Sequence, residues 1–551
     1  MLKENLVEYF EKSIKDNWEL PALTNYNGPT ATYKDVANNI LMLHHVFKQL
    51  HIKKGTKIAL LGKNSINWGV TYLAIVIYGA VIVPILPDFK SDDIHHIINH
   101  SDSQILFVAE SLYENIDNSA IQDLEVIFKL EDFSVLYSSS KSKKEDIAKA
   151  KKQWLEDFET TLSPTSFNFD TVRNDKLAAI VYTSGTTGFS KGVMLPHNSL
   201  IGNIVYAQEH MPLKAEERIL SFLPLAHAYG CAFEFLFPFT LGCHITFLTK
   251  MPSPKIILKA FDEVKPHLIL TVPLILEKIY RKQVKPVIDK GSMKVLLKVP
   301  GVKSIIKKKI KEKLVAAFGG NFYELVIGGA ALNEEAETFF QSIDFPITIG
   351  YGMTECGPLI SYANWKIHKP ASCGQPINFV KVKINSDDPH NVVGEILVKG
   401  EIVMNGYYKN PEATAAALDE EGWLHTGDLG VMDEDDFIFI KGRSKSMILS
   451  GSGQNIYPEE LEAKINNLPY VQEALVIDRN GKLVALIYPD MELIDAEGLS
   501  EARVEELMEK NRNEINDILP SYSYISAFEL YPEEFEKTPT KKIKRFLYAI
   551  Q

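Results

Sequence analysis

Twelve residues, YTSGTTGFSKGV at 182–193, concentrate hydroxyls, glycines and one lysine behind an apolar run at 177–181 that reads as a buried strand. Gly185, Gly188 and Gly192 let the backbone turn tightly and aim its N–H groups at an anion. Ser184, Thr186, Thr187 and Ser190 add hydroxyl donors, and Lys191 adds a point charge suited to phosphate. No nucleophile here has a base beside it, so the stretch is a holder and not the reacting group. It is not a Walker A loop. That pattern puts glycine before the lysine and Ser or Thr after it, whereas Ser190 precedes Lys191 and Gly192 follows.

The stretch resembles the phosphate-loop signature of the adenylate-forming superfamily: acyl-CoA synthetases, peptide-synthetase adenylation domains and luciferases. The resemblance implies that Thr183, Ser184, Gly185, Thr186, Thr187, Gly188 and Lys191 cradle the phosphates of ATP. Further family-like motifs follow in the family's order. Residues 326–330 form a strand ending in glycines, and 347–355 a second strand ending in a turn. Gly328 and Gly329, with Ala330, would let a flat ring approach the backbone. In the segment Gly350, Tyr351, Gly352, the tyrosine offers an aromatic face to adenine. Thr354 can donate to the α-phosphate, and Glu355 is a hard carboxylate suited to Mg2+.

In the 221–230 segment, His227 stands where the family has a residue near the reacting carboxylate. After a glycine turn, Asp428 is placed to accept both ribose hydroxyls; Arg443 is a candidate for a ribose or phosphate contact. Lys445 matches the family hinge. Gly453, in SGSGQN, resembles the loop bordering the pantetheine channel and favours CoA, or a carrier's phosphopantetheine, as acceptor. In TPTKKIKR, aligned on the family's T-G-K-I, Lys542 is the adenylation lysine and Lys541 takes the glycine place; a shift of one would make Lys541 the reacting residue.

The implied activity is ATP- and Mg2+-dependent activation of a fatty acid to acyl-AMP, with pyrophosphate leaving, then transfer to CoA. The Phe-rich middle, SGSGQN and TPTKKIKR favour long-chain acids. The rivals are an acyl–carrier-protein synthetase and an aryl- or medium-chain-CoA ligase. A rival of another class is a non-catalytic, membrane-associated lipid-binding protein, against which Lys191, Glu355, Asp428 and Lys542 together argue.

A chain of 551 residues needs more than one core. The expected class is α/β: a large N-terminal domain of layered α/β sheets with a small β-barrel-like subdomain, and a small mobile α+β C-terminal domain. The expected boundary falls between 1–443 and 444–551, with the hinge near Lys445. A formal net charge of −12 argues against a general nucleic-acid binder. Cys231, Cys243, Cys356 and Cys373 form no CxxC pair, and no apolar leader is visible, which fits a cytoplasmic setting.

The uncharged stretch 68–86 reads as a buried helix and strand, not a membrane span, because Gly79 and Pro84 interrupt it. Helix 33–46, strands 57–61 and 105–108, and a helix at 91–99 alternate as in a parallel α/β layer. His95, His96 and His100 read as a solvated helix face. Residues 137–155 read as an exposed loop or loose helix, and 233–248 as core or as the wall of an apolar pocket. Residues 278–313 carry thirteen basic side chains, either a solvated face or a peripheral contact with the inner face of an anionic membrane.

Overall fold

The computed structural model describes residues 2–157, 161–183, 191–250, 253–299, 301–449, 454–538 and 542–548. The β-branched runs of the first two hundred residues assemble a seven-stranded sheet. Its spatial order is Val135–Ser138, Val126–Lys129, Ile105–Val108, Lys57–Leu61, Val81–Ile85, Leu177–Thr183, Lys191–Pro196. The five inner strands run parallel, and the two edge strands antiparallel. Stretch 68–86 takes in most of helix Ile66–Tyr78, the turn at Gly79 and strand Val81–Ile85. Ser65 caps the helix start, and Gly79, at φ 82°, stops it in the left-handed conformation that glycine adopts without strain. No helix among the described residues is long and apolar enough to cross a membrane.

A second sheet orders Arg218–Ser221, His244–Phe247, Pro21–Asn25 and Thr30–Thr32. A third is wholly parallel: Leu268–Thr271, Glu324–Ile327, Ile347–Ile349. Parallel strands deliver ligand-facing loops at their carboxyl ends. Here the last two deliver 328–330 and 350–355 side by side. Antiparallel sheets of three and four strands follow, the latter Val380–Asn385, Gly394–Gly400, Leu424–Met432 and Ile438–Arg443.

The C-terminal part has cores of its own. Strands Val471–Arg479, Lys482–Pro489 and Ile525–Leu530 pack with helices Pro458–Ile465 and Glu501–Ile518 around Ile465, Ala485, Ile487 and Ile525. We propose 1–443 and 444–551 as the domains, since the clusters of buried apolar side chains divide between residues up to Ile438 and residues from Ile456.

Two expectations need correction. Of the two alternatives for 137–155 the helix holds, over 141–157, but it is anchored and not loose: Ile147, Ala150 and Trp154 are buried, and Trp154 Nε1 donates to Asn38 Oδ1 at 2.8 Å. The phenylalanines of 233–248 are core, although Leu236 of the same stretch lines a small apolar cavity. Phe233, Phe235, Phe237 and Phe239 are wholly buried, with Phe235 in edge contact with Trp68 and Tyr72.

Candidate active site

Strand Leu177–Thr183 turns back antiparallel into Lys191–Pro196, pairing Thr183 with Lys191. Ser184, Gly185, Thr186, Thr187 and Gly188 lie outside the described residues. The free edge of the second strand is covered by 405–408: Met194 N donates to Gly406 O at 3.0 Å and Tyr408 N to Gly192 O at 2.8 Å. That pairing brings Tyr407 to Lys191. The Lys191 ammonium sits 4.9 Å from the Tyr407 ring centroid, within cation–π range. The Tyr407 hydroxyl donates to Glu355 Oε1 at 2.8 Å.

Thr354 and Glu355 are buried on a short 3-10 turn just after Tyr351–Gly352. Gly352 is held tight, because a Cβ there would fall 2.2 Å from Pro358 O. Tyr351, also buried, donates its hydroxyl to Asp428 Oδ2 at 2.7 Å. Arg443 Nε lies 3.0 Å from Asp428 Oδ1, as expected of residues paired across adjacent strands. Burial and the neighbouring Asp428 charge push the Tyr351 phenol well above its ordinary range.

The glycines of 328–330 are used differently from the expectation. A Cβ on Gly328 would meet the Tyr229 ring at 2.8 Å, so the flat ring packed there is the chain's own; the Tyr229 hydroxyl donates to Val326 O at 3.1 Å. Gly329, at φ 89°, and Ala330 are exposed, and nothing lies within 4 Å of a Cβ on Gly329. Gly350 is half-buried and has ordinary contacts only.

His227 caps the short helix Ala228–Gly230, with its Nδ1 accepting from Tyr229 N at 3.4 Å. Burial first, and the Lys542 charge second, lower its imidazole to about 4, so it is neutral at pH 7. With Nδ1 as acceptor, the assigned tautomer carries its proton on Nε2. Beside it lies a small apolar cavity lined by Tyr72, Leu225, Ala228, Cys231, Ala232 and Leu236 among others, of about 10 Å³, room for about one water.

Lys542 comes from the C-terminal part to this same place. It lies at the base of a hairpin in which Thr538 N donates to Lys542 O at 2.8 Å. The residue keeps solvent-exposed surface, but its ammonium stands among charged side chains. Crowding by protein, then the like charge of Arg443, lowers its pKa, while Asp428 and Glu355 pull the other way. Lys541 lies outside the described residues.

The hairpin is pinned on both sides. Lys537 pairs with Glu473 at 2.6 Å, and Arg545 pairs with the buried Glu462 on helix Pro458–Ile465. Lys445 is exposed in the turn after strand Ile438–Arg443, where Ser446 N and Met447 N donate to Arg443 O. Gly453 lies outside the described residues.

No cluster of three or more His, Cys, Asp or Glu able to hold a metal occurs among the described residues. A single buried carboxylate such as Glu355 suits Mg2+, which binds through one or two carboxylates and completes its shell with phosphate and water.

Sequence reasoning gave Tyr407 no role and missed Tyr229 as the ring filling Gly328. The adjacent tyrosines 407 and 408 were the only available signal.

Comparisons with known proteins give the family and the fold. A family model described as AMP-binding enzyme matches residues 10–408. The chain is 27% identical to the long-chain-fatty-acid–CoA ligase FadD15 of Mycobacterium bovis, over 94% of this chain and 90% of that one. It is 27% identical to the chloroplastic long-chain-fatty-acid–[acyl-carrier-protein] ligase AEE15 of Arabidopsis thaliana, over 87% of this chain and 77% of the relative. Its fold is similar to that of the anthranilate CoA ligase AuaEII, solved in complex with anthranoyl-AMP: TM-score 0.77, 21% identity, 99% of this chain and 97% of the other.

Proposed function

The chain belongs to the AMP-binding enzyme family, and from that premise we propose that it is an AMP-forming acid–thiol ligase acting on long-chain fatty acids, with CoA as acceptor. The observation that carries the reading is the position of Lys542. A lysine from the C-terminal part has its ammonium in electrostatic reach of Glu355, Asp428, Arg443 and His227, all from the N-terminal part.

A carboxylate is a poor electrophile, since it is anionic and its oxygen leaves badly. Its oxygen attacks the α-phosphorus of ATP, the bond to pyrophosphate breaks, and acyl-AMP forms. Negative charge grows on the α-phosphate oxygens in that transition state. Lys542, Thr354 and the 183–191 loop are the donors that meet it, and each such donor is worth a factor on the order of 10²–10³. Glu355 would hold Mg2+, which supplies further neutralisation of phosphate charge. His227, neutral at pH 7, offers an Nε2–H to the incoming carboxylate. Asp428 and Arg443 orient the ribose, and the exposed 329–330 backbone and Tyr351 flank the adenine.

In the second step the thiol sulfur attacks the acyl carbon, its proton is lost, and AMP departs. Gly453 would border the thiol's channel, and rotation about Lys445 would exchange it for Lys542. Support for a fatty substrate comes from the apolar lining beside His227 and from the named activity of the relatives. Any alkyl chain entering there must displace part of that lining, because the cavity holds only about one water.

The test is pyrophosphate release with ATP and Mg2+ across fatty acids of graded length, with CoA or acyl carrier protein added. Release that rises with chain length and thioester formed on CoA are expected. No AMP from any acid would overturn the reading.

A further inference from the structure

Residues 278–313 hold thirteen basic and two acidic side chains, a local charge of +11 on a chain whose formal net charge is −12. A solvated helix usually interleaves both signs. Here helices Gly291–Leu296 and Val302–Ala317 carry most of that charge. The second buries only Leu314, and Ile310 and Val315 pack partly against the main core. Its first half and the preceding helix do not pack down. Val295 is 65% exposed, Ile305 58%, Val299 43% and Leu296 42%. Four large apolar side chains within eleven residues are too many exposed in one place to be incidental.

Lysines alternate with these apolar residues along the chain. Lys298, Lys303, Lys308, Lys309 and Lys313 form no ion pair among the described residues, whereas Lys282 and Lys285 farther back pair with Glu492 and Glu335. Between Val302–Ala317 and 342–344 runs a groove of about 530 Å³ lined by Lys303, Ser304, Lys307, Lys308 and Lys311. Asp344, also lining it, is its only carboxylate.

We propose that segment 291–317 is a docking surface for an anionic phospholipid bilayer: the exposed Val295, Leu296, Val299 and Ile305 enter the headgroup–acyl boundary while the lysines and their groove take lipid phosphates. Charge complementarity selects this occupant. A protein partner would need a dense acidic face against it, and a nucleic acid would have no use for the exposed apolar side chains. Lysines near a charged leaflet attract it individually, and the exposed apolar residues gain burial only in a medium that supplies hydrocarbon. The surface is separate from the residues that surround Lys542, so docking is independent of the acyl reading.

The experiment is sedimentation of the purified full chain with vesicles of phosphatidylcholine alone or mixed equally with phosphatidylglycerol. Wild-type protein pellets with the mixed vesicles at low salt, weakens as salt rises, and stays in solution with phosphatidylcholine. The variant K298Q/K303Q/K308Q/K309Q needs at least ~10²-fold more anionic lipid. The variant V295S/L296S needs about tenfold more, since two apolar side chains no longer enter the boundary. Both keep the wild-type melting curve and basal activity. Equal pelleting with both vesicles, none at low salt, or unchanged affinity in the lysine variant would overturn the proposal. So would release by millimolar inorganic phosphate at constant ionic strength, which would make the groove a free-phosphate site.

Discussion

The hydroxyl of Tyr407 donates to Glu355 Oε1 at 2.8 Å, and through its ring the same tyrosine touches the ammonium of Lys191. One side chain thus links the lysine proposed for phosphate to the carboxylate proposed for Mg2+. Tyr407→Phe keeps the ring and removes the donor. A hydrogen bond to a charged group is worth ~1.5–3 kcal/mol, so pyrophosphate release should fall roughly 10- to 100-fold. The Mg2+ concentration for half-maximal rate should shift as well. Titrating Mg2+ in both proteins checks this; a unchanged Mg2+ dependence would make Tyr407 structural only.

The Lys542 hairpin is held by Lys537 to Glu473 and by Arg545 to Glu462. Burial raises the Glu462 carboxyl to about 7, against the pull of Arg545. The double variant K537M/R545M should lower adenylation by about tenfold or more, because a reacting group held loosely loses its orientation. Conversion of supplied acyl-AMP to thioester should be spared. Separate assays of the two half-reactions decide it; equal losses in both would mean the anchors do not serve Lys542.

Much of this arrangement was legible in the chain and some was not. Glu355, Asp428 and Lys542 sit in motifs whose residue types announce their chemistry, and the structure brings all three together. Tyr407 was hidden because its role depends on backbone pairing between 192–194 and 405–408, over two hundred residues apart. Strand Lys191–Pro196 was absorbed into the glycine motif and not read as an element. Helix 141–157 was obscured by its lysines, although Ile147, Ala150 and Trp154 have helical spacing and mark its buried face. The four buried phenylalanines look alike in sequence whether they line a pocket or fill a core.

Glu324 is wholly buried, accepting from the Tyr362 hydroxyl and, at 2.6 Å, from Trp365 N. Burial raises its carboxyl from 4.5 to about 7. A raised folded pKa stabilises the fold fully below 4.5, and that contribution is lost as pH rises through 7. Glu324→Gln cannot ionise. Its stability relative to wild type should therefore rise between pH 5 and pH 8, by up to about 3 kcal/mol. Urea midpoints across that range check the sign, and a difference that does not change with pH would contradict it.

Ala232 lines the small cavity beside His227. Ala232→Phe would more than fill it, block an alkyl chain from opening it, and so shorten the preferred acid. At ~0.8 kcal/mol per CH₂, each methylene shut out costs roughly fourfold in relative kcat/KM. Competition between long and short acids measures the ratio, and an unchanged ratio would place the alkyl chain elsewhere.

The most direct test of the central claim is single-turnover pyrophosphate release by Lys542→Ala, run beside its conversion of supplied acyl-AMP and CoA to thioester. The account predicts that release falls ~10²- to 10³-fold while thioester formation stays within about twofold of wild type. A folded variant that still released pyrophosphate at the wild-type rate, or that lost both half-reactions equally, would contradict it.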